Sequence, residues 1–203
     1  NGTIQNHGTH TLGTIAGLVK PTNDTIGVAF GAYWIANDFV TSTVQALPPI
    51  VNMINAFEWA LNPDDDTNTT KDIPDVINNS WRWYDGNDTI HCDGFVVNLM
   101  NAIEAAGIAN VFSGGNSGPN NSTVNSPQRI NTSDVNTFCV GSVNGNSSFP
   151  YTISNFSTKG PSQCAALGSL AIHPEVVAPG QNVRSAWEQN NFNTISGTSM
   201  AAP

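Results

Sequence analysis

Apolar positions recur along the chain with two alternating spacings. Stretches with apolar residues three or four positions apart, as on one face of a helix, span residues 10–18, 51–61 and 95–106. Short continuous apolar runs, typical of buried strands, span residues 26–29, 33–36, 75–80, 108–112 and 138–143. Because strands and helices alternate in units of roughly 30 residues, the pattern predicts an α/β domain with a mainly parallel central sheet flanked by helices.

Polar residues follow several of the strand-like runs. The first of these runs ends at Ser80, the next is followed by Ser-Gly-Gly-Asn at 113–116, and a short strand-like stretch at 193–196 precedes Gly-Thr-Ser at 197–199. Ligands of parallel sheets bind at the carboxyl ends of strands, so we predict a site at this edge. No internal repeat or low-complexity linker interrupts the chain, which predicts one domain over residues 1–203.

Composition narrows the class of protein further. With 39% hydrophobic and 10% charged residues, the chain is typical of a globular protein and not of a disordered one. Six basic against fifteen acidic residues give a formal net charge of −9, which disfavours nucleic acid as a partner. No run of about 18 apolar residues predicts a membrane span. Three cysteines allow one disulfide, require none and leave at least one thiol unpaired.

His7 is the first residue with candidate chemistry. It lies in Asn-His-Gly-Thr-His-Thr-Leu-Gly at 6–13, where a turn of small residues leads into a predicted helix and an imidazole can face a cleft. A solvated loop histidine is the alternative. His7 and His10, three residues apart, have the spacing of metal ligands, but no Cys, Asp or Glu cluster nearby completes a site, so we predict no metal there.

Ser199 and Asn116 are the other two candidates. A serine in the first turn of a helix can be a nucleophile if a base removes its proton, and the unpaired N–H groups around it can hold an oxyanion. An ordinary helix N-cap is the alternative for Ser199. Asn116 lies at a strand end beside glycines, where its amide can donate to a developing oxyanion. A turn asparagine or a phosphate-binding loop are its alternatives, although the spacing of a P-loop is missing.

The three segments occur in a familiar order. His-Gly-Thr-His at 7–10, Gly-Asn at 115–116 and Gly-Thr-Ser-Met-Ala-Ala-Pro at 197–203 together resemble the subtilisin-like serine proteases, the subtilases of peptidase family S8. The resemblance covers almost the whole chain, and the segments at 79–81 and 156–162 are most similar to the bacillopeptidase F branch. It implies the three-layer subtilisin-like α/β fold. Further matching segments lie at 26–29, 76–81, 111–113, 156–161 and 177–180.

The resemblance also implies roles for individual residues. Ser199 would be the nucleophile, His7 the general base and acid, and the Asn116 side-chain amide with the Ser199 N–H would form the oxyanion hole. One chain segment would pair with extended substrate by strand addition, through Asn79, Ser80 and Trp81. A second segment would line the pocket for the residue before the cleaved bond, through Ser113, Gly114 and Gly115.

One family feature is missing from the printed sequence. The family's triad includes an Asp that precedes the His, whereas only six residues precede His7 and none of them is acidic. Asp24 and Asp38 follow His7 and match no family Asp. We therefore expect an incomplete catalytic domain, truncated at both ends, with little activity by itself. The alternative is a catalytically impaired pseudoprotease that binds peptides, and a nucleotide-binding module rests only on fold analogy.

Several expectations concern the surroundings of the enzyme. The implied chemistry requires no cofactor, and the loop at 19–25, where many subtilases bind structural calcium, contains Asn23 and Asp24 but no persuasive ligand set, so calcium stays open. Protein or peptide substrates are expected, with a pro-domain or an inhibitor as further partners. Secretion is expected, with a signal peptide outside this chain. N-glycosylation sequons begin at Asn1, Asn23, Asn68, Asn78, Asn87, Asn120, Asn121, Asn131, Asn146 and Asn155.

Overall fold

The computed structural model describes residues 6–40, 50–83, 92–165 and 168–203. The helices are α1 (His7–Ala16), α2 (Ile50–Leu61), α3 (Phe95–Ala105) and α4 (Thr198–Ala201). The strands are β1 (Leu18–Val19), β2 (Asp24–Thr25), β3 (Val76–Asn79), β4 (Ala109–Ser113), β5 (Phe138–Asn144), β6 (Thr152–Ile153), β7 (Val176–Pro179), β8 (Val183–Ala186) and β9 (Phe192–Ile195). Within these ranges no helix has the length and apolar character to cross a membrane.

Within the described ranges the central sheet has five strands and is mainly parallel, as the sequence predicts. Strands β3, β4 and β5 pair in parallel in that order, and β7 pairs in parallel with β5. Only β6 runs antiparallel to its neighbour β5. Strands β8 and β9 form a separate antiparallel ribbon that packs against α1. The register of β3 against β4, with Asn79 beside Phe112, brings the carboxyl ends of these strands to one edge.

The core forms where α2 and α3 pack against β4. Their apolar stripes converge on Phe112, which is fully buried. The same cluster is completed by Met53 and Phe57 from α2, Met100 and Ile103 from α3, and Ile108. Burial of one such side chain stabilises a fold by about 1.5–3 kcal/mol, so this cluster fixes β4 and the loop that follows it.

The strands predicted at 26–29 and 33–36 are not formed, and that prediction is wrong. The N–H groups of Gly27, Val28 and Ala29 instead donate to the last carbonyl groups of α1 and to Gly17, at 2.7–3.0 Å. These amides complete the end of a helix and are not available for a sheet ladder. The segment does not enter the core either, because Tyr33 is fully exposed and Trp34 is 58% exposed.

The three cysteines form one disulfide and leave one free thiol, as their number allows. Cys92 and Cys164 form a disulfide that closes a sequence separation of 72 residues, with their Cα atoms 5.1 Å apart. Cys139, on β5, is a free and fully buried thiol. The sequence allowed this single disulfide but did not identify which pair forms it.

Two glycines of α1 provide a test of how the helix is seated. A Cβ atom at Gly13 would lie 2.5 Å from Ser185 Oγ and 2.8 Å from Ala186 Cβ, whereas one at Gly8 would meet nothing within 4 Å. We expect Gly13→Ala to lower the free energy of unfolding by about 1–3 kcal/mol because α1 must move away from β8. Gly8→Ala should leave it unchanged or raise it by up to about 1 kcal/mol. Denaturant unfolding of both variants checks this, and equal effects would contradict the packing.

Candidate active site

Ser199 is positioned by a short helix that packs on the sheet. Helix α4 contacts β4, β5, β7 and α1, and its Met200 and Ala201 side chains are buried. Ser199 itself is half-buried, and its Oγ lies 3.4 Å from the carbonyl oxygen of Ser80. In return, the Ser80 hydroxyl donates to the Ser199 carbonyl at 3.0 Å. The residue predicted as nucleophile is therefore tied to the carboxyl end of β3.

Asn116 is tied to the same helix through Thr198. Asn116 Oδ1 accepts the Thr198 N–H at 2.9 Å and the Thr198 hydroxyl at 3.0 Å, while Gly115 N–H donates to Thr198 Oγ1 at 3.0 Å. A backbone N–H can only donate, so the atom facing it must be the amide oxygen. The Asn116 side chain is exposed, and this orientation leaves its Nδ2 as the donating end. No local sequence pattern indicates this role of Thr198.

Ser113 is the last residue of β4, and Gly114 and Gly115 continue it as a buried loop. The Gly114 carbonyl accepts a hydrogen bond from the Thr158 hydroxyl at 2.7 Å, which holds the loop in place. Gly115 has a φ of +109°, and a Cβ atom there would collide with Asn125 Oδ1. Only glycine meets both requirements, so the backbone next to Asn116 depends on this residue type.

The predicted substrate edge has two inward-facing side chains. Asn79 is 3% exposed, and its amide nitrogen donates to Asn110 Oδ1 at 2.7 Å. Trp81 donates its ring N–H to Asn79 Oδ1 at 3.1 Å and packs edge-to-face on Phe112. These two side chains hold the end of β3 in place, which leaves the backbone and Ser80 as the parts of this edge that can meet a ligand.

Gln128 joins the two predicted substrate segments and was not identified from the sequence. Its Nε2 donates to the Trp81 carbonyl at 2.8 Å and to the Ser113 carbonyl at 2.7 Å. The residue is fully buried. One amide group therefore bridges the segment after β3 and the last residue of β4. A glutamine in a polar loop carries no sequence pattern that reveals this.

His7 is the first residue of α1, and α1 packs against the serine helix α4. The imidazole is half-buried and makes no hydrogen bond within the described ranges. Burial, with a smaller contribution from the nearby His10 ring, lowers the pKa of His7 below its ordinary value of 6.5. The neutral form, which can accept a proton, is therefore favoured near pH 7.

The contacts of His10 support the fold. Its ring is fully buried, and Nε2 lies 3.1 Å from the Val183 carbonyl and 3.2 Å from the Asn193 carbonyl, which joins α1 to β8 and β9. Asp24 lies near this helix in sequence. Its Oδ2 accepts hydrogen bonds from both terminal nitrogens of Arg184, each at 3.0 Å. The Asp24 carboxylate is thus paired with an arginine and not with His7.

The overall fold is similar to those of two solved structures. The structure titled S41 Psychrophilic Protease superimposes with a TM-score of 0.71 at 25% identity, covering 98% of this chain and 60% of that one. Sphericase gives a TM-score of 0.70 at 24% identity. These neighbours confirm the predicted subtilisin-like fold.

Sequence comparisons place the chain in a family. The model of the Subtilase family, Peptidase S8, matches residues 1–203, so the chain belongs to the subtilase family. It is 34% identical to Bacillopeptidase F of Bacillus subtilis over 97% of this chain and 13% of that protein. It is 28% identical to Subtilisin DY of Bacillus licheniformis over 97% of this chain and 59% of that protein. The chain thus spans less than two thirds of either relative.

The two histidines of α1 make stability depend on pH. Burial, the largest cause for both, lowers the pKa of His7 and of His10 from 6.5, so the unfolded chain binds more protons at mildly acidic pH. The free energy of unfolding should fall as pH drops through 6.5 and should level off once the folded-state values are passed. Chemical denaturation between pH 8 and about 5.5, where carboxylates stay ionised, measures this.

His10→Gln is the matched variant for this measurement. Its amide supplies a donor to the two carbonyl groups but does not titrate, so we expect a weaker pH dependence over the same interval. An unfolding free energy that rises on acidification, or a dependence unchanged in His10→Gln and His7→Gln alike, would contradict the assignment.

Proposed function

We propose that this chain carries the nucleophile and oxyanion hole of a serine endopeptidase that cleaves peptide bonds through an acyl-enzyme on Ser199. Membership of the subtilase family supports serine-type endopeptidase activity in general. The observation that carries the residue assignment is the link through Thr198 between Asn116 and the helix of Ser199. The link bonds the Asn116 amide oxygen to the residue before Ser199, whose side chain is half-buried, and leaves the Asn116 amide nitrogen as a donor.

The proposed reaction has two stages, formation of the acyl-enzyme and its hydrolysis. His7 removes the proton of Ser199 Oγ as the oxygen attacks the peptide carbonyl, and the oxyanion receives hydrogen bonds from the Ser199 N–H and Asn116 Nδ2. The C–N bond then breaks, and His7 passes the proton to the leaving amine. Water attacks the acyl-enzyme with His7 again as base, and the carboxylic acid leaves with Ser199 regenerated. No cofactor enters any step.

Peptide binding is proposed at the carboxyl ends of β3 and β4. The backbone beside Ser80 would pair with extended substrate, and the segment from Ser113 to Gly115 would line the pocket for the residue before the cleaved bond. The fixed Gln128 amide sets the distance between these walls. Protein or peptide substrates would bind there in extended form, and a pro-domain or proteinaceous inhibitor would bind in the same way.

Secretion and glycosylation belong to the same proposal. The exposed sequon asparagines are open to a glycan, whereas Asn131 is 7% exposed and donates its amide to the Leu170 carbonyl at 2.8 Å. Asn78 is partly buried, and Asn1 and Asn87 lie outside the described residues. The exposed positions are Asn23, Asn68, Asn120, Asn121, Asn146 and Asn155.

A pseudoprotease is the second candidate, and one observation favours it. Ser199 Oγ lies 3.4 Å from the Ser80 carbonyl oxygen, and within the described ranges it makes no hydrogen bond to His7. A serine hydroxyl that bonds to a carbonyl and not to a base is not activated for attack. A protein of this kind would bind peptides without efficient turnover.

Labelling of the full-length protein with a fluorophosphonate separates the two candidates. An activated serine should form an adduct on Ser199 that is lost in Ser199→Ala and slowed at least about 100-fold in His7→Ala. Asn116→Ala should lower kcat for peptide cleavage by about 10²–10³ with a smaller change in KM, while the exposed neighbour Ser117→Ala should be unaffected. Peptide binding without any adduct would establish the pseudoprotease instead.

Gln128→Met tests the proposed substrate walls. Methionine fills a similar volume but donates no hydrogen bond, so the two walls lose their fixed separation. We expect the preference between bulky and small residues before the cleaved bond to fall about tenfold in kcat/KM, the effect of one such bond. The rate of labelling by a small fluorophosphonate should stay within about twofold. A uniform loss in both assays would show that Gln128 only supports the fold.

A further inference from the structure

A second group of reactive side chains lies behind the candidate active site. We call it the Cys139 cluster, and it consists of Cys139 on β5 with His173 and Glu175, which directly precede β7. Strands β5 and β7 pair from Val140 beside Val176, which brings these residues together. The thiol sulfur, a ring nitrogen and a carboxylate oxygen all lie within 4.8 Å of one another.

Contacts within the cluster orient two of its three members. Glu175 Oε2 accepts the Cys139 N–H at 2.9 Å and lies 3.2 Å from His173 Nδ1. The other ring nitrogen, His173 Nε2, is buried and has no hydrogen-bond partner in the described part of the chain. The His173 side chain is 0% exposed, and Glu175, at 15%, is the one member with appreciable access to water. A buried polar nitrogen without a partner destabilises the folded state, and a bound ligand would relieve that cost.

The thiol of Cys139 is not occupied by other chemistry. The other two cysteines of the chain are joined to each other, and Cys139 is fully buried and free. Burial, reinforced by the negative charge of Glu175, raises the pKa of this thiol well above its ordinary value. A cation between the thiol and the carboxylate would reverse that effect, because a metal ion stabilises the thiolate directly.

We propose that the Cys139 cluster binds one divalent ion of the zinc type through Cys139 Sγ, a His173 ring nitrogen and a Glu175 oxygen. Thiolate and imidazole select borderline ions such as Zn²⁺ over Ca²⁺ and Mg²⁺, which prefer oxygen ligands. Binding releases one proton, as the thiol becomes a metal thiolate. Neighbouring tetrahedral zinc ligands lie roughly 3.5 Å apart, so the side chains close around the ion by about 1 Å or less, and water completes the fourth position.

The ion would support the loop that carries Asn116. A Cβ atom at Gly114 would lie 3.0 Å from Cys139 Sγ and 3.1 Å from Thr158 Oγ1, so the thiol directly underlies the loop. The metal would therefore join β5 to the segment before β7 at the base of this loop. The role is structural and independent of the peptidase proposal, so either proposal can fail alone.

Cobalt titration of the full-length protein tests the site without an activity assay. Co²⁺ bound to a thiolate gives a charge-transfer absorption, and within this chain only Cys139 can supply the thiolate. We expect this absorption to appear at one equivalent of Co²⁺, to disappear when Zn²⁺ is added, and to be absent in Cys139→Ser. Glu175→Gln and His173→Asn should weaken Co²⁺ binding at least about 10-fold, as expected for loss of one ligand.

Matched controls make each outcome decisive. Asp72→Asn removes an acidic side chain remote in sequence from the cluster and should leave the titration unchanged. Glu175→Gln keeps an acceptor for the Cys139 N–H, so it serves if Cys139→Ser does not fold, and circular dichroism verifies folding. A folded wild-type protein with a free thiol and no charge-transfer absorption would overturn the proposal. So would an absorption unchanged in both Glu175→Gln and His173→Asn, which indicates a single adventitious thiolate.

Discussion

The hydrogen bonds between Asn116 and Thr198 are the constraint on which the rest of the site depends. They connect the loop after β4 to the first turn of α4, two segments separated by 82 residues in sequence. Because Asn116 Oδ1 accepts two donors, the amide has one orientation, and its nitrogen is kept as a donor. The same bonds fix the height of Ser199 relative to the sheet, so the candidate nucleophile and the candidate oxyanion donor are positioned by one interaction.

The surrounding packing makes that interaction rigid. Tertiary contacts with β4, β5, β7 and α1 hold helix α4 against the sheet. Met200 and Ala201 bury its inner side, and Ser80 bonds its backbone from the end of β3. On the other side, the apolar core fixes β4 through Phe112. Two adjacent strand ends and one helix turn therefore meet at a single point.

Much of the architecture follows from local pattern, and the failures have a physical cause. Helices α2 and α3 and strands β3 and β4 match their predicted positions within a few residues, because their apolar residues face one core. Strand β5 also matches its predicted position. The run at 26–36 has the same apolar composition, yet its first amides bond to the end of α1. Thr198, Gln128 and the Cys92–Cys164 pairing depend on contacts between distant segments, which no local pattern contains. Local chemistry made Ser199, Asn116 and His7 candidates, and only the family resemblance of their motif order assigned their roles.

The most direct test of this account is a crystal structure of the full-length protein after reaction with a peptidyl fluorophosphonate. We predict phosphorus bonded to Ser199 Oγ, with a phosphonyl oxygen about 2.7–3.1 Å from both Asn116 Nδ2 and the Ser199 N–H. Asn116 Oδ1 should still accept from Thr198. An adduct on another residue, or an Asn116 amide turned away from the phosphonyl oxygen, would contradict the central claim that one hydrogen-bonded link positions both groups.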